Sequence, residues 1–237
     1  MRGVPHALLD IASPHGQYTA ARFVRDVYRQ LKKVPLQQPV FLVGGTPFYI
    51  DAVLHPGSIS SVPPNPSLRK KLEKKTTPQL LRLLRERDVQ KYRTIDPHNR
   101  RRIIRAIEIS SAPAAKQALY PPLRSLKIGL GMPNEKLFKR IDARVDARMK
   151  QGMVAEVARL HTHGLNWKKL DSFGLEYRFL ARYLQGELTK KEAVTQLKSA
   201  IHDFARRQMT WWKRDGDIHW ISSEQRADKL IKNFLRS

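Results

Sequence analysis

The sequence predicts an α/β fold in which helices outnumber strands. Residues 40–43 and 126–130 are short apolar runs with the length and composition of buried strands. Most of the remaining chain carries apolar residues at the spacing of amphipathic helices. Because strands alternate with helices, we expect the two runs to be neighbours in one parallel sheet.

The N-terminal part of the chain is predicted to be a loop followed by one helix. Residues 1–14 are expected to form a loop anchored by a few apolar side chains. Residues 18–34 predict a helix packed on the sheet, because Phe23, Val27 and Leu31 recur at helical spacing.

The stretch after the first predicted strand is where we expect a site. Gly44 and Gly45 allow a tight turn near a ligand, and Thr46 and Pro47 suit the N-cap and first position of a helix. A helix N-terminus at the carboxyl end of a strand favours an anion such as phosphate. The alternative is a purely structural turn, and the motif alone does not decide.

A small helical insert is predicted at residues 58–97. Prolines at positions 63, 64 and 66 mark its beginning. Residues 67–75 and 78–88 predict two short charged helices with a thin leucine seam. The parts assigned to the α/β core are residues 1–57 and 98–237.

The C-terminal half is predicted to be mostly helical. We expect helices at residues 99–110, 134–152, 154–163, 171–185, 189–214 and 225–235, a loop at 113–125 and a short strand at 219–221. Asn134 and Ser172 are expected N-caps, and Thr189 with Glu192 predicts a capping box.

Charge is the strongest feature of the composition. The 237 residues include 45 Lys and Arg against 21 Asp and Glu, which gives a net charge of +24. This excess favours a polyanionic partner, nucleic acid first and an anionic membrane surface second. No apolar stretch has the length of a membrane span. The absence of cysteine excludes disulfides and thiolate metal sites, and it fits a cytoplasmic protein.

The first group of candidate residues is an arginine run, Arg100 to Arg102 with Arg105, on one predicted helix. Arginine forks match phosphate geometry and keep their charge, so this face could clamp an RNA backbone. The alternative is a solvated basic face in which Arg105 pairs with Glu108.

The second group recurs every four residues, so that its members share one stripe of a helix: Arg140, Arg144 and Arg148. Such a stripe could hold a leaving pyrophosphate, with Asp142 and Asp146 orienting its members. The alternative is ordinary pairing between surface charges.

The third group lies in residues 203–214, where aromatic residues alternate with Arg and Gln. This pattern suits stacking on unpaired bases and contact with phosphates. Trp211 or Trp212 could instead belong to the core, and we expect that one of them does.

Metal and nucleophile chemistry is poorly supported by the sequence. His161 and His163 point to different sides of a helix, and the other histidines have no ligand spacing with acidic residues. No nucleophile elbow is present. We therefore assign no metal ligand.

Several motifs together resemble the tRNA dimethylallyltransferases, also called tRNA isopentenyltransferases. In chain order they are VPHALLD (4–10), YTAARF (18–23), VGGTPFY (43–49), RIIRAIE (102–108), RIDAR (140–144), GLEY (174–177), YLQGE (183–187) and ARRQMTW (205–211). Their order and spacing match the family over nearly the whole chain. One departure is Glu176, where many relatives carry glycine.

The resemblance implies a reaction and a fold. A dimethylallyl group would move from its diphosphate to the exocyclic amine of the adenine 3′ of the anticodon, after that base has left its stack. The fold would be an incomplete P-loop NTPase-like parallel sheet with helices, and the insert would grip the anticodon stem-loop. The implied partners are tRNA and dimethylallyl diphosphate, with Mg²⁺ as cofactor, no membrane and a monomeric state.

The resemblance also implies the site residues. It places Thr46 in the reaction channel and Arg144, with Arg140, at the diphosphate. The implied tRNA-contacting residues are Arg101, Arg102, Ile103, Ile104, Arg105, Phe173, Gly174, Tyr177, Arg178, His202, Arg206, Arg207 and Gln208. We expect the cationic faces and the glycine–threonine corner to converge on one tunnel.

Two family motifs are not found in this sequence. The family begins with a strand and a Gly-x-x-x-x-Gly-Lys-Ser/Thr phosphate loop, followed by an Asp general base. We therefore expect an N-terminally incomplete gene product, a missing part supplied separately, or a noncatalytic RNA-binding protein of the same fold. A P-loop kinase relative is a further alternative, but it leaves the Arg/Trp helix unexplained.

Overall fold

The structure, a computed structural model, describes residues 3–35, 37–113 and 120–236. They form a mostly helical α/β protein with a small parallel sheet. The chain divides into two compact units: residues 1–18, 30–50 and 123–237 form the first, and residues 19–29 and 51–122 form the second.

The secondary structure of the described residues consists of α-helices, two strands and one 3₁₀ turn. The helices are α1 (Ala20–Leu31), α2 (Pro47–Leu54), α3 (Pro66–Glu73), α4 (Thr77–Arg87), α5 (Val89–Thr94), α6 (Arg100–Ser110), α7 (Asn134–Lys150), α8 (Met153–Thr162), α9 (Trp167–Asp171), α10 (Leu175–Leu184), α11 (Lys190–Trp212) and α12 (Glu224–Arg236). The strands are β1 (Lys127–Leu130) and β2 (Ile218–Ile221), and the 3₁₀ turn is Pro56–Ser58.

The sheet of the first unit pairs β1 and β2 in parallel, with Lys127 opposite Ile218. Gly129 lies tightly against Trp220, because a Cβ atom at Gly129 would fall 2.6 Å from Cε3 of that ring. Only glycine therefore fits this position of β1. The strand predicted at residues 126–130 is confirmed, and so is the strand predicted at residues 219–221.

Two apolar clusters stabilise the helices of the first unit. The first is a seam between α7 and α11 formed by Ile141, Val145, Leu197 and Ile201. The second joins α8, α9 and α10 through Met153, Val157, Leu165, Leu170, Leu180 and Ala181. These seams fix the orientation of the helices that carry most of the candidate residues.

The core of the second unit packs α3 and α4 against α6. Its buried members are Leu72, Leu80, Leu84, Ile103, Ile104, Ala106 and Ile107. The predicted insert, residues 58–97, lies wholly within this unit. Its role in gripping an anticodon stem-loop stays a prediction.

The predicted strand at residues 40–43 is wrong. The structure forms no strand there, and the side chains of Phe41 and Val43 are 68% and 89% exposed. An apolar run becomes a strand only when a neighbour pairs with its backbone, and no residue within the described ranges does so.

Two helix boundaries and one whole helix also differ from prediction. The helix expected at residues 171–185 begins later, because Gly174 is the N-cap of α10, and the expected N-cap Ser172 is instead the C-cap of α9. Asn134 is the first residue of α7 rather than its cap, which is Pro133. Helix α5 was not predicted, although Asp88 caps it by accepting from Lys91 N at 2.8 Å.

The tryptophan prediction is wrong as well. Trp211 is 43% exposed and Trp212 is half-buried, so neither belongs to the core. Both lie in the last turn of α11, beyond the α7–α11 seam. Over the ranges that the structure describes, no helix is both long and apolar enough to cross a membrane.

The capping box at the start of α11 is confirmed and can be tested. Thr189 Oγ1 accepts from Glu192 N at 3.2 Å, and the Glu192 carboxylate accepts from Thr189 N at 2.7 Å. We expect Thr189→Ala to lower the free energy of unfolding by about 1 kcal/mol, measured by urea denaturation. Thr210→Ala, the same change in the last turns of the helix, should have a clearly smaller effect. Equal losses would contradict the capping role.

Candidate functional site

The glycine–threonine corner of the first unit lies against α11. Gly44, Gly45 and Thr46 are exposed, and α2 begins at Pro47 as predicted. A Cβ atom at Gly45 would lie 3.0 Å from Nε2 of Gln208, so the amide of Gln208 packs directly on the Gly45 backbone. The absence of a side chain at Gly45 permits this close approach.

A hydrogen bond and an ion pair join α11 to α7 in an antiparallel arrangement. His202 Nε2 lies 2.9 Å from Asp142 Oδ1, and Lys198 Nζ lies 2.8 Å from Asp146 Oδ1. The His202 ring also stacks on Phe138, with 4.2 Å between the ring centroids. Asp142 and Asp146 therefore hold α7 on α11, which corrects the prediction that they orient the arginine stripe.

The arginine stripe on α7 separates into two parts. Arg148 is paired with Glu176, whose Oε1 lies 3.3 Å from Nη1. Arg140 and Arg144 are exposed, and their side chains form no hydrogen bond or ion pair with any residue that the structure describes. Two guanidinium groups on a fixed helix are thus available to bind an anion.

The predicted RNA-contacting residues on α11 are partly occupied by internal contacts. Arg206 is paired with Asp203, and its Cζ atom lies 5.4 Å from the centroid of the Phe138 ring. Arg207 is exposed, with Cζ 6.0 Å from the Phe204 centroid. Arg207 therefore makes fewer contacts within the protein than Arg206 does.

The segment around α10 makes strong contacts within the protein. The Tyr177 hydroxyl donates to Glu156 Oε1 at 2.7 Å. Burial, followed by this hydrogen bond and the charge of Glu156, raises the pKa of Tyr177 to about 12. Arg178 Nε donates to Asp171 Oδ1 at 3.1 Å. Predicted contact of Tyr177 and Arg178 with tRNA must compete with these bonds.

Phe173 and Gly174 lie at the junction between α9 and α10. The Phe173 ring packs edge-on against Tyr177, with centroids 5.6 Å apart, and the Lys169 ammonium lies 5.6 Å from the Phe173 centroid. Both residues are half-buried, so their backbone and ring edge are partly accessible. Their contact with tRNA stays a prediction.

The arginines of the run in the second unit differ in whether they form hydrogen bonds within the protein. Arg100 donates to the carbonyl oxygens of Glu73, at 2.8 Å, and of Lys75. Arg105 Nη2 donates to Val62 O at 2.6 Å. Arg101 and Arg102 are exposed, and their side chains have no partner within residues 3–35, 37–113 and 120–236.

The two isoleucines of this run cannot contact RNA through their side chains. Ile103 and Ile104 are 0% and 5% exposed and belong to the core of the second unit. Their place among the tRNA-contacting residues stays a prediction, and only their backbone could make such a contact. The helical spacing of Ile103, Ile104 and Ile107 puts them on the side of α6 opposite Arg101 and Arg102.

A buried carboxylate, Glu108, holds this helix to the start of the insert. Its oxygens accept from Asn65 N at 3.0 Å and from Arg69 Nη2 at 2.6 Å, with Arg105 Nη1 at 3.5 Å. Burial alone would raise the pKa of Glu108, but the hydrogen bonds from Arg69 and Asn65 and the two positive charges outweigh it. The pKa of Glu108 is consequently lowered.

Only one of these three partners of Glu108 is evident from the sequence. Arg105 was predicted from its i+3 spacing, whereas Asn65 and Arg69 lie about 40 residues away along the chain. A lone glutamate on an otherwise apolar helix face was the available signal.

Magnesium has no candidate ligand group in the described residues. Nowhere in the ranges that the structure describes do three His, Asp or Glu side chains gather closely enough to hold a metal ion. We therefore assign no residue of this chain to Mg²⁺, and the ion stays a prediction of the resemblance.

The predicted site residues fall into both units. The first unit contains Thr46, Arg140, Arg144, Phe173, Gly174, Tyr177, Arg178, His202, Arg206, Arg207 and Gln208, and the second contains Arg101 to Arg105. Within the first unit, contacts run from Gly45 to Gln208 on α11 and from His202 on α11 to Asp142 on α7. This chain of contacts links the corner to the helix that carries Arg144.

Comparison with known proteins gives consistent results. A family model described as IPP transferase matches residues 1–215. The chain is 37% identical over 243 residues to "tRNA dimethylallyltransferase 2" of Citrifermentans bemidjiense, covering 98% of this chain and 79% of that protein. It is 37% identical over 234 residues to "tRNA dimethylallyltransferase" of Thermomicrobium roseum, covering 94% of this chain and 71% of that protein.

Solved structures resemble the chain over its whole length. The tRNA isopentenylpyrophosphate transferase of Bacillus halodurans matches with a TM-score of 0.67 and 28% identity, over 100% of this chain and 78% of that one. A eukaryotic dimethylallyltransferase "acting on tRNA" matches with a TM-score of 0.74 and 19% identity, over 98% and 67%. At that identity the second comparison supports the fold alone.

Proposed function

The chain belongs to the IPP transferase family, and from this premise we propose that it transfers a dimethylallyl group to tRNA. The group moves from dimethylallyl diphosphate to the exocyclic amine of the adenine 3′ of the anticodon. A nitrogen–carbon bond forms, the allylic carbon–oxygen bond breaks, diphosphate leaves and the amine loses a proton.

The observation that carries this proposal is the pair of exposed arginines on α7. Arg140 and Arg144 have no side-chain partner among the described residues, while the His202–Asp142 and Lys198–Asp146 contacts and an apolar seam fix their helix on α11. The leaving diphosphate gains negative charge as its bond to carbon breaks. Positioned guanidinium groups stabilise that charge more than the charge of the ground state.

In this proposal the remaining residues border the reaction channel or bind the RNA. Thr46, at the N-terminus of α2, borders the channel in which the displaced adenine meets the allylic carbon. Arg101 and Arg102 of the second unit and Arg207 of the first contact the RNA backbone. We do not assign the carboxylate that accepts the proton to a residue of this chain.

The proposal also includes the finer fold class, the oligomeric state and the location in the cell. The parallel pairing of β1 and β2, with helices between them in sequence, supports a P-loop NTPase-like sheet. A net charge of +24 disfavours association of two copies without RNA, which supports a monomer. The proposed tRNA substrate supports a cytoplasmic location.

The noncatalytic alternative is not favoured. Relatives that match 94–98% of this chain are named as transferases. The kinase alternative would leave the arginines of α6 and α11 without a role.

A transfer assay tests the function directly. Purified protein is incubated with unmodified tRNA and radiolabelled dimethylallyl diphosphate, and label in the RNA is counted. We expect label on the adenine next to the anticodon, and none on a tRNA in which that adenine is replaced by guanine. Tight, salt-sensitive tRNA binding without label would instead favour the noncatalytic alternative.

Arg101→Ala tests the predicted RNA face of the second unit. Arg101 is exposed and has no side-chain partner in the described part of the chain, so its loss should leave the fold intact. We expect weaker tRNA binding and a plot of log Kd against log salt that is shallower by about one unit.

The matched control for this measurement is Arg25→Ala. It removes the same charge from α1, a helix on which no RNA contact is predicted. If Arg101→Ala leaves the salt dependence unchanged, or if both variants alter it equally, Arg101 is not part of a specific RNA face.

A further inference from the structure

One face of α11 carries exposed aromatic rings that the proposed reaction does not require. Phe204 and Trp211 are 38% and 43% exposed. They are seven residues apart on one continuous helix, so they lie on the same face about two turns, or roughly 10 Å, from each other. Large apolar rings that stay accessible in this way often mark a binding surface.

The residues between the two rings are polar and suited to nucleic acid. Arg207 and Gln208 lie on the same face, and the Arg207 guanidinium stands 6.0 Å from the Phe204 ring centroid. No side-chain hydrogen bond of Gln208 is seen among the residues described, although its amide packs on Gly45. An amide that is both donor and acceptor suits the edge of an adenine.

The charge around this face indicates which kind of partner binds there. Arg206, Lys213 and Arg214 flank the rings, and the whole chain carries a net charge of +24. An apolar partner would not need these cations, whereas a nucleic acid strand supplies both phosphates and base faces. A duplex does not expose base faces, so the fitting partner is unpaired RNA.

We propose that Phe204 and Trp211 form a stacking surface for unpaired bases of the RNA substrate, with Gln208 between them contacting a base edge. The inference rests on the proposed function, since it takes the loop of the anticodon stem-loop as the bound strand. It adds a surface that holds the loop nucleotides beside the Gly45–Thr46 corner while the target adenine is out of its stack. Arg207 contacts the phosphates that join these nucleotides.

The test compares an aromatic ring with an aliphatic side chain of similar bulk. We expect Phe204→Leu and Trp211→Leu each to weaken binding of an anticodon stem-loop hairpin by about tenfold, because a stacked base is lost. Binding of a duplex with the same stem and no loop should change by less than about twofold, since phosphate contacts remain. Phe204→Tyr and Trp211→Phe keep a π face and should restore hairpin binding. All Kd values are measured by fluorescence anisotropy.

A spectroscopic readout separates stacking from a general effect on the fold. Hairpins carrying 2-aminopurine at single loop positions should lose fluorescence on binding the wild-type protein, and the leucine variants should abolish that quenching at one or two positions. Trp212→Leu makes the same change one position further on and about 100° round the helix. It should keep the quenching, and thermal unfolding should show that each variant is folded.

The outcomes are distinct. If the leucine variants bind the hairpin like the wild type, or weaken hairpin and duplex equally, the stacking surface is refuted, while transfer by the wild type would still support the proposed function. If the wild-type protein binds no RNA at all, both proposals fail together.

Discussion

Replacing Arg144 with alanine is expected to slow dimethylallyl transfer by about two orders of magnitude. Loss of one positioned group that stabilises developing charge typically lowers kcat by about 100-fold or more. The Arg144 side chain is exposed and has no described protein partner, so its removal should leave the fold unchanged. Single-turnover transfer with saturating tRNA measures the chemical step directly.

The tRNA Kd of the same variant should change by less than about threefold, because the expected loss is specific to the transition state. Lys139→Ala is the matched control, since it removes a cation from the exposed side of the same helix, where Lys139 pairs with Glu135. Equal losses of transfer and tRNA affinity in Arg144→Ala would contradict a role at the diphosphate.

Replacing Glu108 with alanine is expected to lower the free energy of unfolding by about 3 kcal/mol. Removing one member of a buried ion pair typically costs about 3–5 kcal/mol. The lower end applies because the side chains of Arg69 and Arg105, which are 38% and 30% exposed, can regain water. The Asn65 N–H loses its acceptor in addition. Urea denaturation at pH 7 measures the difference.

Glu86→Ala is the control for this change. It also removes a glutamate that is paired with an arginine, but Glu86 and Arg82 are 56% and 85% exposed. The expected loss there is below about 0.5 kcal/mol. A comparable loss in both variants would mean that Glu108 does not act as a buried anchor.

The pH dependence of stability follows from the lowered pKa of Glu108. A carboxylate with a depressed folded pKa stabilises the protein fully above its ordinary value of 4.5, and this contribution declines as the pH falls through the folded pKa. The difference in unfolding free energy between wild type and Glu108→Gln should therefore shrink below pH 4.5. A difference that stays constant into that range would contradict the sign of the shift.

Local chemistry explains why most helices could be predicted from the sequence. The capping box at Thr189 and Glu192 is a short-range pattern and appears as expected, and the helix predicted at residues 134–152 is observed as α7. The failures involve long-range partners. Residues 40–43 carry every local signal of a strand, but pairing depends on a neighbour that no local pattern supplies.

The candidate site shows the same difference between short-range patterns and long-range contacts. The spacing of Arg140 and Arg144 correctly placed both on one exposed face of α7. The partners of Asp142 and Asp146 lie more than 50 residues away on α11, at His202 and Lys198, so no local spacing could reveal them. The approach of Gln208 to Gly45 is likewise a tertiary contact.

The bare apolar run at residues 40–43 affects how the protein behaves in solution. At low ionic strength the net charge of +24 keeps molecules apart. The four exposed aliphatic and aromatic side chains of residues 40–43 therefore cause little aggregation. At about 1 M salt the Debye length falls to roughly 3 Å, and that repulsion no longer operates. The high-salt wash that strips adventitious RNA from a preparation is then the step at which the chains would begin to aggregate through this run.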